Sequence, residues 1–435
     1  MEADPPVLGA DTTPPRSFTL NAQHELRVEI DNEKRATITV LSGTAEIFGT
    51  ELAVDRAYTF SGAKLAVFSW HGATVQIAGP TEVAYVSKET PMTSYVNTHA
   101  ALEQLRIAAE RMGSQSGPRV LIAGAGDVGK SSLCKILLSY AARSGRRPLY
   151  VDLDVGQGSI SVPGVMATAL VEKPVDVEEG FSNHIPLLYH FGHLSPDNHS
   201  LYKSIMGRIA TAVTRRCQSD AHTRHSGVII NTCGWIEGPG FQFIMSAIDL
   251  FQVDVVLTID SERLHHDIAT AVNSSGTNNQ VAVVSLPKSG GVVSRPQVFR
   301  RKTRNERVKQ YFYGIKNDLF PSRTTIKLND FVFVRIGAPP VPASCLPLGE
   351  TPANNELKVI TVTPSTDLLY TVLSVSASPQ VPSNLQSLVD TNVLGFVFVA
   401  AVNMDKKELT ILAPSIGRLP SNVLIVSAVK CEMQL

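Results

Sequence analysis

Along residues 17–87 the chain alternates apolar and polar side chains in short runs: FTLNAQHELRVEI, ATITVLSG, AEIFGTEL, AYTFSGAKLAVFSW, ATVQIAG and EVAYVS. Successive strand residues point to opposite faces, so this alternation marks half-buried strands, with turns at the intervening Gly, Asn and Asp. Such runs at intervals of roughly ten residues predict an antiparallel β-sandwich or barrel over 16–100. The acidic, proline-rich MEADPPVLGADTTPP before it predicts a disordered tail at 1–15.

The period then changes. SYVNTHAALEQLRIAAERM (94–112) carries apolar residues at helical spacing, and a flexible GSQSGP follows. Beyond it, the apolar runs RVLIAG, PLYVDLDV, GVIINTC, VDVVLTID and QVAVVSLP alternate with helices near 130–143, 199–217, 240–251 and 261–275. Buried strands alternating with helices predict βαβ units and a parallel, doubly wound sheet over 101–320. After Phe320 the pattern returns to strands between proline-rich loops such as APPVPASCLPLGETP, which predicts a smaller third domain over 321–435. Division into several cores is expected for 435 residues.

Composition narrows the functional classes. With 43% hydrophobic and 18% charged residues the chain reads as globular, and 39 basic side chains balance 39 acidic ones. Zero net charge excludes a generally basic nucleic-acid coat, so any such binding must use a local patch. The five cysteines lie far apart with no CxxC pair, which argues against a disulfide framework and a zinc knuckle. No charged-then-apolar leader is present and no apolar run approaches the roughly 20 residues of a membrane helix, so a soluble, intracellular protein is expected.

The strongest chemical signal is GAGDVGKSS at 124–132, between the strand RVLIA and the helix SLCKILLSYAAR. It matches GxxxxGK[ST], the loop whose backbone N–H groups curl round phosphates at a helix N-terminus. Gly124, Gly126, Asp127, Val128, Gly129, Lys130, Ser131 and Ser132 are therefore the candidate nucleotide-binding residues. Lys130 is expected to reach the outer phosphates of ATP, and the Ser131 hydroxyl to ligate Mg²⁺.

Three further features belong to the same chemistry. The second strand ends in Asp152 and Asp154, on one strand face at the carboxyl edge where α/β sheets bind ligands. Asp154, nearer the glycine-rich turn, is the expected catalytic acid–base group, and Asp152 the supporting metal ligand. In NTCGWIEGPG (231–240), Trp235 is either a platform for stacking a base or part of the loop core. Residues 295–309 hold seven basic side chains against the single acid Glu306. Such a run is either a solvated helix face or a lid that neutralises charge in phosphoryl transfer. Arg295 and Arg300, nearest the Gly290–Gly291 hinge, are the expected lid pair.

With these residues in place, the chain resembles the polyribonucleotide 5′-hydroxyl kinase family, the ATP-binding subunit of pre-mRNA cleavage factor II. AEIFGTEL, VFSWHG, TEVAYVSKETPM, DVGKSS, YVDLDVGQGS, DVEEGF, NTCGW, LPKSGGVV, YFYG and CLPLG carry the likeness over nearly the whole length. The resemblance implies a β-sandwich, a central P-loop kinase domain and a small C-terminal α/β domain. It also implies that Asp154 deprotonates an RNA 5′-hydroxyl and that Trp235 stacks on the terminal bases. Glu25 and Lys64, in HELRVEI and SGAKLAVF, would reach the nucleotide from the sandwich.

Relatives often carry a Thr/Gly-rich RNA clasp after YHFG. Here FGHLSPDNHSLYK differs, leaving Ser195 and Asn198 as candidates for RNA contact. The family further implies a nuclear protein with a cleavage factor II partner subunit and an association with the tRNA splicing endonuclease. An active RNA kinase is the leading expectation. A catalytically silent, ATP-stabilised scaffold is the alternative, and a switch-type NTPase lacks a recognisable water-positioning element.

Overall fold

The computed structural model describes residues 14–181, 185–274, 281–337 and 355–432. Most of the expected disordered tail, and the APPVPASCLPLGETP loop with Cys345, lie outside the described residues. The N-terminal strands form two facing sheets. One joins Arg16–Leu20, Ala73–Ala78, Ala36–Gly43 and Ala57–Phe60; the other joins Thr50–Glu51, Glu46–Ile47, Lys64–Ser69, His24–Glu29 and Val83–Ser87. Inward residues such as Leu26, Val28, Ile38, Val40, Val67 and Val75 make the shared core, which settles sandwich over barrel.

The strand His24–Glu29 departs from simple alternation, because Glu25 and Arg27 are as buried as Leu26 and Val28. Leu26 and Val28 fill the sandwich, and the opposite face of the strand bears on the central domain. The sandwich is also seated on that domain through Glu46, which accepts bonds from Tyr140 Oη and, at 2.9 Å, from Arg143.

A helix α1 (Met92–Met112) leads into the central domain, and six more follow among the described residues: α2 (Lys130–Arg143), α3 (His199–Ser219), α4 (Ala221–Ser226), α5 (Pro239–Phe251), α6 (Glu262–Ser274) and α7 (Gln297–Tyr313). Five strands run parallel in the spatial order Ala282–Leu286, Val255–Ile259, Arg119–Ala123, Val228–Asn231, Leu149–Asp152. Continuous burial of RVLIA and VVLTI reflects helices on both faces. Register aligns Asn231 with both Ile122 and Asp152, so the carboxyl ends of three strands meet at one edge.

Two antiparallel strands, Val165–Leu170 and Leu187–His190, extend this sheet and were not foreseen. Through Leu188 against Val393 they continue into the C-terminal sheet. Among the described residues after Phe320 the regular elements are seven strands and short 3₁₀ turns. Helix α7 packs there, with Tyr311 accepting a bond from the Phe396 N–H at 3.1 Å.

Candidate active site

The phosphate loop starts from geometry that only certain residues permit. Gly129 sits at φ 97° immediately before α2 and Asp127 at φ 57°, where glycine is unstrained and Asp is tolerated. Among the described residues no side chain caps α2, so its first N–H groups are left for an anion. The Lys130 ammonium donates to the carbonyls of Gly124 at 2.9 Å and Ala125 at 2.7 Å. Burial lowers its pKa, with the Asp154 charge opposing that shift.

Loop, sheet edge and lid surround one cleft of about 1060 Å³. Gly126, Asp127, Val128, Gly129, Lys130, Ser131 and Ser132 line it together with Asp154, Ser195, Trp235, Arg295 and Arg300. Gly124 lies behind, where an added Cβ would stand 3.0 Å from Val128 and 3.1 Å from Ile259 O. The Trp235 loop reaches the phosphate loop closely enough that a Cβ on Gly234 would lie 2.7 Å from Gly126 Cα; glycine at that position is obligatory for the approach.

The two acids occupy different surroundings. Asp152 is buried and accepts from Ser159 N at 2.7 Å and Oγ at 2.8 Å, and from Asn231 Nδ2 at 3.0 Å. Asp154 lines the cleft, its Oδ1 accepting from Gly156 N and Gln157 N, each at 3.0 Å. Burial raises the Asp154 pKa, and the adjacent Asp152 charge raises it further. A carboxyl so placed accepts a proton more readily than a free aspartate, which suits a general base.

Sequence reasoning missed Asn231. Its Nδ2 bridges Asp152 and Ser131 Oγ (3.3 Å), while its buried Oδ1 has no hydrogen-bond partner among the described residues. A polar residue at the sheltered end of an apolar run was the available signal. Among the described residues no group of three His, Cys, Asp or Glu could hold a metal by itself. The Ser131 hydroxyl and the Asp152 carboxylate are oxygen donors of the kind Mg²⁺ accepts.

The basic run forms α7 with a strap before it. Asp127 Oδ2 accepts from Arg295 N at 2.8 Å and from Arg300 Nη2 at 2.7 Å, so the lid is anchored on the phosphate loop. Burial lowers the pKa of Arg295, against the Asp127 charge. Arg304 and Arg307 follow Arg300 at helical spacing and also line the cleft. Lys135, four residues after Ser131, adds another cation, its pKa pushed down to about 8 by burial and then by Arg307 and Arg295. Helical periodicity was the signal for these three.

Trp235 is half-buried, its ring centroid 5.8 Å from His199 and 6.0 Å from Phe243. It therefore packs on the core and also lines the cleft. Ser195 donates to Asp197 at 2.8 Å. Asn198 is set back from the cleft lining: it caps α3 by accepting from Leu201 N, and it donates to Glu356 O at 2.7 Å. Both ends of its amide are thereby engaged within the protein.

Glu25 and Lys64 come together in a smaller pocket of about 130 Å³ behind the phosphate loop. Phe48, Phe68, Tyr95, Val128 and Gly129 share it. Lys64 pairs with Glu29 at 2.6 Å and lies 5.6 Å from the Phe299 ring centroid. Glu25 accepts from Arg27 Nε at 2.7 Å. Burial opposes the Arg27 charge, but bonds to Tyr85 and Glu25 outweigh it and raise the pKa. Arg27 is a second residue that the sequence concealed, since it reads as an ordinary strand charge.

A β-sandwich seated on a P-loop domain, with a basic helix lining the same cleft as the phosphate loop, defines a nucleotide-binding protein of the phosphoryl-transfer class. Family models agree over successive segments: the "N-terminal beta-sandwich domain of polyadenylation factor" at 19–109, the "mRNA cleavage and polyadenylation factor CLP1 P-loop" at 124–314 and the "Pre-mRNA cleavage complex II protein Clp1" at 319–431. The chain belongs to the Clp1 family. It is 46% identical to the human polyribonucleotide 5′-hydroxyl-kinase Clp1 over 97% of both chains, and 46% identical to the Protein CLP1 homolog of Nematostella vectensis over 95% of this chain and 96% of that one. The fold matches the solved wild-type Clp1p–Pcf11p complex at a TM-score of 0.85, with 23% identity over 97% of this chain and 99% of the other.

Proposed function

We propose that this protein transfers the terminal phosphoryl group of ATP to the 5′-hydroxyl end of RNA. The observation that carries this reading is the convergence of Lys130, Ser131, Asp154, Trp235, Arg295 and Arg300 on one cleft. Those groups meet the demands of an in-line displacement: phosphates held, a base at the attacking hydroxyl, and cations where charge develops.

The loop N–H groups and Lys130 hold the triphosphate, while Glu25 and Lys64 reach the nucleoside from the smaller pocket. Asp154 orients the 5′-hydroxyl and takes its proton as the oxygen attacks the terminal phosphorus. The bond to the bridging oxygen breaks, ADP leaves, and Arg295 and Arg300 stabilise the charge in transit. Ser131 and Asp152 would hold Mg²⁺, which would supply charge neutralisation on the phosphates when bound. Trp235 stacks on the terminal bases without distinguishing them, since every base has a π-face; Ser195 lies near enough the cleft to join the RNA contact.

In the cell the protein acts, on this reading, in the nucleus as a subunit of the mRNA 3′-end cleavage machinery beside a Pcf11-type partner, with tRNA splicing as a second setting. A silent scaffold would need the phosphate loop but neither Asp154 nor the lid pair at the phosphate end. Labelled-phosphate transfer from ATP to a 5′-hydroxyl oligoribonucleotide, with the 5′-phosphorylated oligomer as control, separates the two. No transfer by protein that binds ATP leaves the scaffold standing.

Two substitutions test the parts. Trp235→Ala is expected to raise the RNA concentration needed for half-maximal rate by about tenfold, the loss of one stack, and to leave ATP affinity alone. An unchanged RNA dependence returns Trp235 to the loop core. Arg300→Ala is expected to lower kcat by about tenfold to a hundredfold while changing the KM for ATP much less, because the cation acts on charge that develops in transfer. Equal losses in rate and affinity would mean that Arg300 only holds nucleotide.

A further inference from the structure

The lid is attached at two ends, and one attachment has no place in the mechanism above. The segment between the strand Ala282–Leu286 and α7 begins under α1, where Tyr95 Oη donates to Pro287 O at 2.9 Å. Ser289 Oγ then faces Glu25 Oε1 at 3.5 Å and accepts from Gly291 N at 3.2 Å. Gly290 and Gly291 lie against Arg27 of the sandwich. A Cβ on Gly290 would stand 3.1 Å from Arg27 Nη1, and one on Gly291 would stand 2.9 Å from its Cδ and 3.0 Å from Nε. The two glycines thus admit the Arg27 side chain flat against the hinge.

Arg27 is itself held in place. Nε donates to Glu25 at 2.7 Å, Nη2 to Glu89 O at 2.7 Å and Nη1 to Tyr85 Oη at 3.2 Å. The far end of the same strap is tied to the phosphate loop at Asp127. Glu25, Arg27, Ser289, Gly290 and Gly291 all line the smaller pocket. A nucleoside base entering that pocket meets the same carboxylate that holds both Arg27 and the hinge serine.

We propose that Arg27 is a positioning residue that carries occupancy of the nucleoside pocket to the lid. A base bound at Glu25 sets the Arg27 guanidinium, which sets Gly290–Gly291 and so the placement of Arg295 and Arg300 over the phosphates. The inference rests on the kinase reading for its rate effects, and its physical content is the contact between Arg27 and the hinge. A coupling of this kind costs more in the turnover rate with a base-bearing donor than with a donor that has no base.

The test compares two phosphoryl donors, ATP and inorganic tripolyphosphate, on a 5′-hydroxyl oligoribonucleotide. Arg27→Ala is expected to lower kcat with ATP by about tenfold, with KM for ATP changed less than about threefold, and to lower the tripolyphosphate rate much less. Arg27→Lys, which keeps charge without the planar fork, should restore only part of the ATP rate. Gly291→Ala should lower the ATP rate when Arg27 is present and add no further loss in Arg27→Ala, because its Cβ collides only with that side chain.

A readout independent of transfer is amide exchange of residues 287–300. ATP should protect them in the native protein and should fail to do so in Arg27→Ala while still binding. Equal losses with both donors, additive effects of Gly291→Ala and Arg27→Ala, or undiminished protection in the variant would each overturn the proposal. Protection that depends on Arg27 in a protein with no transfer would sustain the coupling and remove the kinase reading instead.

Discussion

Lys130→Ala is expected to abolish phosphate transfer from ATP to RNA ends, with a loss on the order of a thousandfold or more. The ammonium lies among the carbonyls of its own loop and lines the cleft beside Asp154 and Ser131. Removing it deletes the only cation borne by the loop itself, at the place where the outer phosphates must sit. The fold should survive, because among the described residues the Lys130 side chain bonds only to the carbonyls of 124 and 125, and the surrounding helix keeps its apolar anchors Leu133, Ile136 and Leu137.

Ser131→Ala should instead leave a reduced rate that demands more Mg²⁺, since it removes one oxygen donor and frees the Asn231 bridge. The measurements are transfer of labelled phosphate across a Mg²⁺ series and the thermal melt of each variant. Undiminished transfer by Lys130→Ala in a protein of native stability would end the assignment of this loop to catalysis.

The sequence made the layers legible where physics is local. A run such as RVLIA, apolar at every position after Arg119, has no solvent face to offer, and all five residues are buried. GxxxxGK[ST] is equally local, since loop, helix N-terminus and lysine lie within nine residues. The strands VMATAL and LLYH escaped notice because each is short and lies between loops rich in Gly, Pro and acids, giving neither period nor length to recognise.

The site faded where its contacts join distant positions. The side chains of Asp127 and Arg300 meet across 173 residues of sequence, and Ser289 faces Glu25 across 264. Nothing in HELRVE distinguishes a charge turned toward water from one turned toward another domain. Resemblance to the family supplied Glu25 and Lys64, whereas Arg27, Asn231, Lys135 and Arg307 needed the fold.

Asp154→Asn is expected to keep ATP binding and lose about a hundredfold or more of the transfer rate. The amide oxygen can still accept from Gly156 N and Gln157 N, so the turn after the strand keeps its shape; what is lost is a group able to take the hydroxyl proton. Asp152→Asn should behave differently. Asp152 accepts from Ser159 N, Ser159 Oγ, Asn231 Nδ2 and Asp154 N, and an amide there turns a donor toward donors. That variant should lose stability as well as rate.

The pH profile adds a separate criterion. Burial, and then the neighbouring Asp152 charge, raise the Asp154 pKa. Its base form is therefore depleted on acidification sooner than that of a free aspartate, and the acid limb of kcat should lie above the ordinary carboxylate range. In Asp154→Asn the residual rate should lose that limb, because the group that titrates is gone. A limb that persists unchanged in Asp154→Asn, together with a deeper loss of rate in well-folded Asp152→Asn, would move the proton to Asp152 and leave Asp154 as the metal's outer support.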